Sequence, residues 1–179
     1  MPLQTHMAIR GDLKVQSRLT QWASRAGNTI PAMKAIEVML EEKERDLFES
    51  DGASGRHGGW DELKDSTKEQ KEASGMHPEI LRATDYLFAS LTDGDDEFAI
   101  RDIGPGFLRF GTSLPYAAIQ ASGFTSRAGN HVPARRPIDW TQTDRAEVLA
   151  IISEWITGMK AAGKRFRVRI RPSMRTTRF

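Results

Sequence analysis

The 179-residue chain has no cysteine. Disulfide staples, thiolate metal sites and cysteine nucleophiles are excluded at once. Long apolar runs are missing too. None approaches the roughly 20 residues needed to cross a bilayer, and the opening MPLQTHMAIRGD lacks the apolar stretch of a secretory leader. The expectation is a soluble protein, made in a cytoplasm and without a membrane partner. No period of about 20–50 residues repeats, which sets solenoids and propellers aside. Apolar residues make up 39% of the chain, below the about 45–50% of an average domain, a range that also counts glycine.

Arrangements that carry chemistry are equally scarce. His6, His57, His77 and His131 stand on loops without i,i+4 spacing or a carboxylate pattern beside them, so they read as surface histidines and not as ligands or bases. Asp95, Asp96 and Glu97 are consecutive acids pointing different ways, which describes a solvated turn. Gly104-Pro105-Gly106 lacks the lysine and the helix start of a phosphate-binding loop. No acid pair sits in a cleft-like context, which weighs against a small hydrolase. The sequence predicts no enzyme, no metal and no cofactor.

What is present is one domain's worth of chain with an uneven charge. The formal net charge is +2, yet residues 164–179 hold seven Lys or Arg and no acid, leaving 19 basic against 24 acidic residues elsewhere, a net of −5. A mildly acidic body with a strongly basic tail meets something negative: nucleic acid, an acidic neighbour, or the body of a second copy. Within the tail, residues 165–171 alternate strictly, with Phe166, Val168 and Ile170 on one side and Arg165, Arg167, Arg169 and Arg171 on the other. That pattern predicts a strand with one cationic face, directed at an acidic subunit or at phosphates. The expected division is a domain over 1–163 and a basic C-terminal strand and tail over 164–179.

Periodicity and turn chemistry give the elements. A short strand is expected near residues 7–12, then a helix over 13–25 stopped by Gly27-Asn28. Thr29 to Pro31 caps a second helix whose Met33, Ile36, Met39, Leu40, Lys43, Leu47 and Phe48 fall mostly on one stripe, the methionines as core fillers. Residues 50–59 hold no apolar side chain larger than alanine and predict a mobile loop ending at Trp60, which anchors it to the body or to a partner. After a polar, lysine-rich stretch over 61–74, a helix is expected over 79–91 with Ile80, Leu81, Leu87, Phe88 and Leu91 inward. Residues 98–103 and 107–110 read as a hairpin with a three-residue connection. A short helix follows over 115–121, then one capped by residues 141–144, carrying Val148, Ile151, Ile152, Trp155, Ile156 and Met159, and ended by Gly163. The fold class is α+β: a small, mainly antiparallel sheet with helices on one face, plus a long glycine-rich loop at about 50–60.

Residues 111–137, GTSLPYAAIQASGFTSRAGNHVPARRP, set glycines and prolines around the apolar run Tyr116-Ala117-Ala118-Ile119. Such punctuation positions a loop. With Phe48-Glu49-Ser50 and the glycine-rich run to Trp60, Thr67, Lys71, Ile80-Leu81-Arg82-Ala83-Thr84, Leu87 and Ser90-Leu91-Thr92, this segment's Gly111-Thr112, Tyr116 to Gln120, Gly123 and Val132 to Pro137 carry a resemblance. Over roughly residues 10 to 157 the chain resembles the phage virion morphogenesis family, the tail-completion proteins of Mu-like phages, and more distantly siphophage neck and minor tail proteins. It departs at Ala121, inserted before Ser122-Gly123, at Ile138 in place of a usual phenylalanine, and at Ala83-Thr84-Asp85, which lacks a frequent glycine.

The resemblance implies a structural virion protein acting late in tail assembly, forming a ring of copies at the neck or head-proximal end of the tail, beside other neck and tail proteins and near DNA in the lumen. Trp60, Tyr116, Ile119, Gly123, Pro133, Arg135, Arg136 and Pro137 are the expected assembly contacts. The basic strand lies outside the resemblance. The rival expectation is a nucleic-acid-binding module using that strand, though Phe166 is its sole aromatic.

Overall fold

The computed structural model describes residues 12–127 and 129–159. Along the chain come α1 (Asp12–Gly27), α2 (Ile30–Glu49), α3 (Asp65–Ala73), α4 (Tyr86–Thr92), β1 (Ala99–Gly104), β2 (Phe107–Thr112), α5 (Tyr116–Ser122), β3 (Phe124–Thr125), β4 (His131–Val132) and α6 (Gln142–Thr157). The class is α+β as expected, with two separate two-stranded antiparallel sheets among the described residues. The expected strands at 7–11 and 165–171, and Gly163, lie outside those residues; Asp12 already belongs to α1.

Helix α2 is the hub. Its stripe buries Met33, Ile36, Met39, Leu40, Leu47 and Phe48, as the periodicity predicts, together with Ala32 and Glu44, while Lys43 is only half-buried; each large apolar side chain contributes roughly 1.5–3 kcal/mol. Met33, Ile36, Met39 and Leu40 meet Val148, Ile151 and Ile152 of α6 and Ile103 and Leu108 of the hairpin. Leu47 and Phe48 join Trp60, Ile80, Leu87, Leu91 and Leu114 in a second cluster. Pro31 occupies the first turn, but Thr29 makes no side-chain cap. Its hydroxyl instead accepts the Gly106 N–H at 2.7 Å, tying the hairpin turn to the α1–α2 corner.

In the hairpin, Ile103 faces Leu108 and Arg101 faces Phe110. These pairs look onto α2, while Asp102 and Arg109 form an ion pair on the solvent side. Helices therefore cover one face of this sheet, as expected. The connection is shorter than expected. Gly104 already pairs with Phe107, leaving Pro105-Gly106, and proline followed by a glycine at φ 86° is the chemistry of a type II turn.

Helix α6 runs antiparallel to α2. Lys43 reaches Asp144 at its start, and Trp155 Nε1 donates to Arg25 and Asn28 carbonyls near its end. Thr141 and Asp144 form a reciprocal capping box, and Gly158 at φ 68° ends the helix before Met159 and Gly163. All four tryptophans donate their indole N–H across the chain, Trp22 to Thr157 O, Trp60 to Arg136 O, Trp140 to Glu44 Oε1 and Trp155 as above.

The expected helix over 79–91 shrinks to α4. Leu81 (φ 59°) and Asp85 (φ 57°) are left-handed, which a helix does not allow, and Arg82 pairs with Asp85 across the turn. Ile80 is buried all the same, from a turn. Helix α3, inside the polar stretch, buries nothing and offers no stripe to read. The β3–β4 pair is two residues long per strand and likewise carries no legible alternation.

Candidate assembly surface

The segment from Gly123 to Trp140 is a strap laid over the body. Gly123 makes the turn that starts it, at φ 69°, and a Cβ there would stand 2.7 Å from Ala134 N. Arg135 N donates to Gln120 O at 2.8 Å, binding the strap to the end of α5. The Arg135 side chain turns inward and is buried, its guanidinium donating to Asp61 O at 2.8 and 3.0 Å and to Glu62 O at 3.3 Å. Burial pulls its pKa down, and Asp61 opposes that. Next along, Arg136 O accepts the Trp60 indole N–H at 3.2 Å.

Trp60 is a structural anchor. Its ring meets Phe48 edge-on at 5.3 Å and lies so close over Gly52 that a Cβ there would be 2.6 Å from the indole Cδ1. The glycine-rich loop is consequently held, contrary to the expectation of mobility. Trp60 N donates to Asp51 O, Arg56 N to Asp139 O and His57 N to Asp139 Oδ2. His57 Nδ1 also meets Asp139 Oδ1 at 2.5 Å. This histidine is half-exposed as expected, but it has a carboxylate partner from 82 residues away that no local pattern could disclose. His77 stands near Glu79 and Asp85, His131 begins β4, and His6 lies outside the described residues.

Two ionisable side chains are enclosed in the body. Arg101 stacks on Phe110 at 3.9 Å, pairs with Glu41 at 3.3 Å and Glu37 at 3.8 Å, and donates to Ser90, Leu91, Ile100 and Gly111 carbonyls. One guanidinium thus ties α2, the end of α4 and both strands. Burial raises the pKa of Glu37 and Glu41, and Arg101 counters it. Glu44 is 1% exposed, accepts from Trp140 Nε1 at 2.8 Å, and lines a cavity of about 60 Å³ with Lys43, Asp139 and Asp144. Burial pushes its carboxyl up to about 8, further supported by Asp144 and Asp139 and opposed by Trp140 and Arg101. No group of three or more His, Asp or Glu side chains among the described residues is arranged to hold a metal ion.

Of the eight residues expected at contacts, Tyr116, Ile119 and Arg136 are exposed, Gly123 and Pro133 are partly covered, and Trp60, Arg135 and Pro137 are buried. The last three are spent inside the chain, where they hold loop and strap in place. Arg165, Arg167, Arg169 and Arg171 lie outside the described residues. Sequence reasoning passed over Tyr86. It is exposed, packs on Phe98 at 5.9 Å, and stands near Tyr116. Its position immediately before the apolar set of α4 was the available signal.

The sequence model of the phage virion morphogenesis family matches residues 12–157, and the chain is a member of that family. Searches of curated proteins and of solved structures returned no significant match. Membership gives the chain a role in phage virion morphogenesis and places it as a virion component made in the host. No helix among the described residues is long and apolar enough to cross a membrane.

Proposed function

We propose that the protein is a structural component of the neck or head-proximal end of a phage tail, where copies form a ring that completes the tail or joins it to the head. The observation that carries this reading is the set of exposed side chains Tyr86 on α4 and Tyr116 and Ile119 on α5, a helix whose end the strap holds through Arg135 N to Gln120 O. Exposed apolar groups that cluster mark contact surfaces. The partners are further copies and adjacent neck and tail proteins, with no cofactor required.

Locating the chain in an electron-microscopy map of the intact virion tests the reading. A ring at the neck or upper tail is expected, and density elsewhere, or no density, overturns it. Tyr116→Ala particles should assemble poorly, with tails lacking heads. The alternating arginines of 165–171 support a second reading, a nucleic-acid-binding module. A filter-binding titration separates the two: phosphate binding falls steeply with salt, and no affinity at low salt eliminates it.

A further inference from the structure

We propose that the first half of α1 is an arm that docks on a second copy of this chain, laying Val15 and Leu19 against the Tyr86, Tyr116 and Ile119 surface of the next subunit. The inference rests on the ring reading above and names the contact that builds the ring.

Helix α1 has sixteen residues and buries none of them. Val15, Leu19, Trp22 and Ala26 recur at i, i+4, i+7 and i+11, so they share one stripe. The C-terminal part of that stripe is used within the chain, where Trp22 Nε1 donates to Thr157 O and Arg25 O accepts from Trp155. The N-terminal part is not. Residues 12–20 are all exposed, about 13 Å of helix at 1.5 Å per residue, and Val15 and Leu19 are 56% and 54% exposed. So short a helix is marginal in water without an apolar face to pack, and here the face exists without a cover among the described residues.

The receiving surface has the converse character. Tyr86 is 54% and Ile119 50% exposed, and Tyr116, also exposed, stands one turn before Ile119 on α5. Both surfaces are open in the same chain, so they do not cover each other within it. Charge selects between them. α1 carries three bases and one acid, with Lys14 and Arg18 immediately preceding Val15 and Leu19 and flanking the stripe. The turn over 93–97, which leads into Phe98 beneath Tyr86, holds four acids and no base. A basic apolar helix thus meets an apolar patch whose Tyr86 side leads to an acidic turn. Because the two surfaces differ, the contact is head to tail, and repeated with rotation it closes into a ring.

The test uses the full chain and sedimentation velocity. Val15→Asp/Leu19→Asp removes the arm and Ile119→Asp the patch, all at exposed positions, with circular dichroism confirming unchanged helicity. Wild type is expected to associate, and each variant alone to remain monomeric. A mixture of the two variants should form heterodimers and nothing larger, since one intact arm and one intact patch remain. Self-association of Ile119→Asp alone would mean that α1 pairs with α1, a monomeric mixture would mean that arm and patch do not meet, and unchanged assembly of the arm variant would mean that Val15 and Leu19 are not the contact; each overturns the inference and leaves the ring reading standing.

In assembled particles the absence of native cysteine allows a second readout. Leu19→Cys/Ile119→Cys treated with a short bis-maleimide should give a ladder beyond dimer, while each single variant gives none. Without that ladder, in particles whose map shows the ring, the inference fails alone. A map without a ring removes the underlying reading as well.

Discussion

Glutamine in place of Glu44 should remove most of one large pH dependence. Glu44 is buried in α2, and its carboxyl holds a proton up to about pH 8 in the folded chain, against an ordinary value of 4.5. Between those values the folded state binds more protons than the unfolded one, so stability falls as pH rises and levels off above about 8. At about 1.4 kcal/mol per unit, the full descent is on the order of 5 kcal/mol. Glutamine has nearly the same shape, keeps an acceptor for Trp140 Nε1 and has no proton to lose. Urea unfolding of both proteins should show near-equal stability at pH 5. At pH 9 Glu44→Gln should be the more stable by several kcal/mol. Asp144, whose pKa is lowered by Thr141 and Lys43, contributes the opposite slope at low pH but cancels in the difference. Parallel pH profiles for the two proteins would refute the buried, protonated carboxyl.

Arg101→Ala leaves Glu37 and Glu41 without their cation and several carbonyls without a donor. It should cost about 3–5 kcal/mol in chemical denaturation, and a loss under 1 kcal/mol would contradict the staple described. Gly123→Ala meets both a positive φ and the backbone of Ala134, so a loss of more than about 1 kcal/mol is expected by the same assay. Asp139→Ala removes the acceptor of His57 N and the partner of its ring; trypsin should then cut after Arg56 severalfold faster, and an unchanged rate would show that the loop is held by other means.

The long amphipathic stretches were legible because one stripe sufficed to define them. Met33 to Phe48 on α2, and Val148 to Ile152 with the Thr141–Asp144 box on α6, follow from spacing and capping alone. The helix expected over 79–91 failed in its first half, where Ile80 is buried from a turn, and nothing in Leu81 or Asp85 announces a left-handed backbone. The held loop was illegible for a different reason. Its glycines speak for mobility, but Asp139 and Trp60 restrain it, and Asp139 lies some eighty positions on. At the candidate surface, Tyr116 and Ile119 could be picked out from the apolar run, whereas Trp60 and Arg135 could not be assigned inside or outside from residue type. An arginine that spends its donors on Asp61 and Glu62 carbonyls reads in sequence like any exposed one.

The joint between α1 and α6 has a consequence for the order of synthesis. Its bonds link Trp22 to Thr157 and Arg25 to Trp155, positions about 130 residues apart. At roughly 5–20 residues per second, α1 leaves the ribosome on the order of ten seconds before the helix that seats it. Until α6 has been made, the bonds of Trp22 and Arg25 that seat α1 cannot form, and in the proposed contact Val15 and Leu19 lack the support that aims them at a neighbour. In the proposed contact, the arm is ready to dock only once α6 has been made.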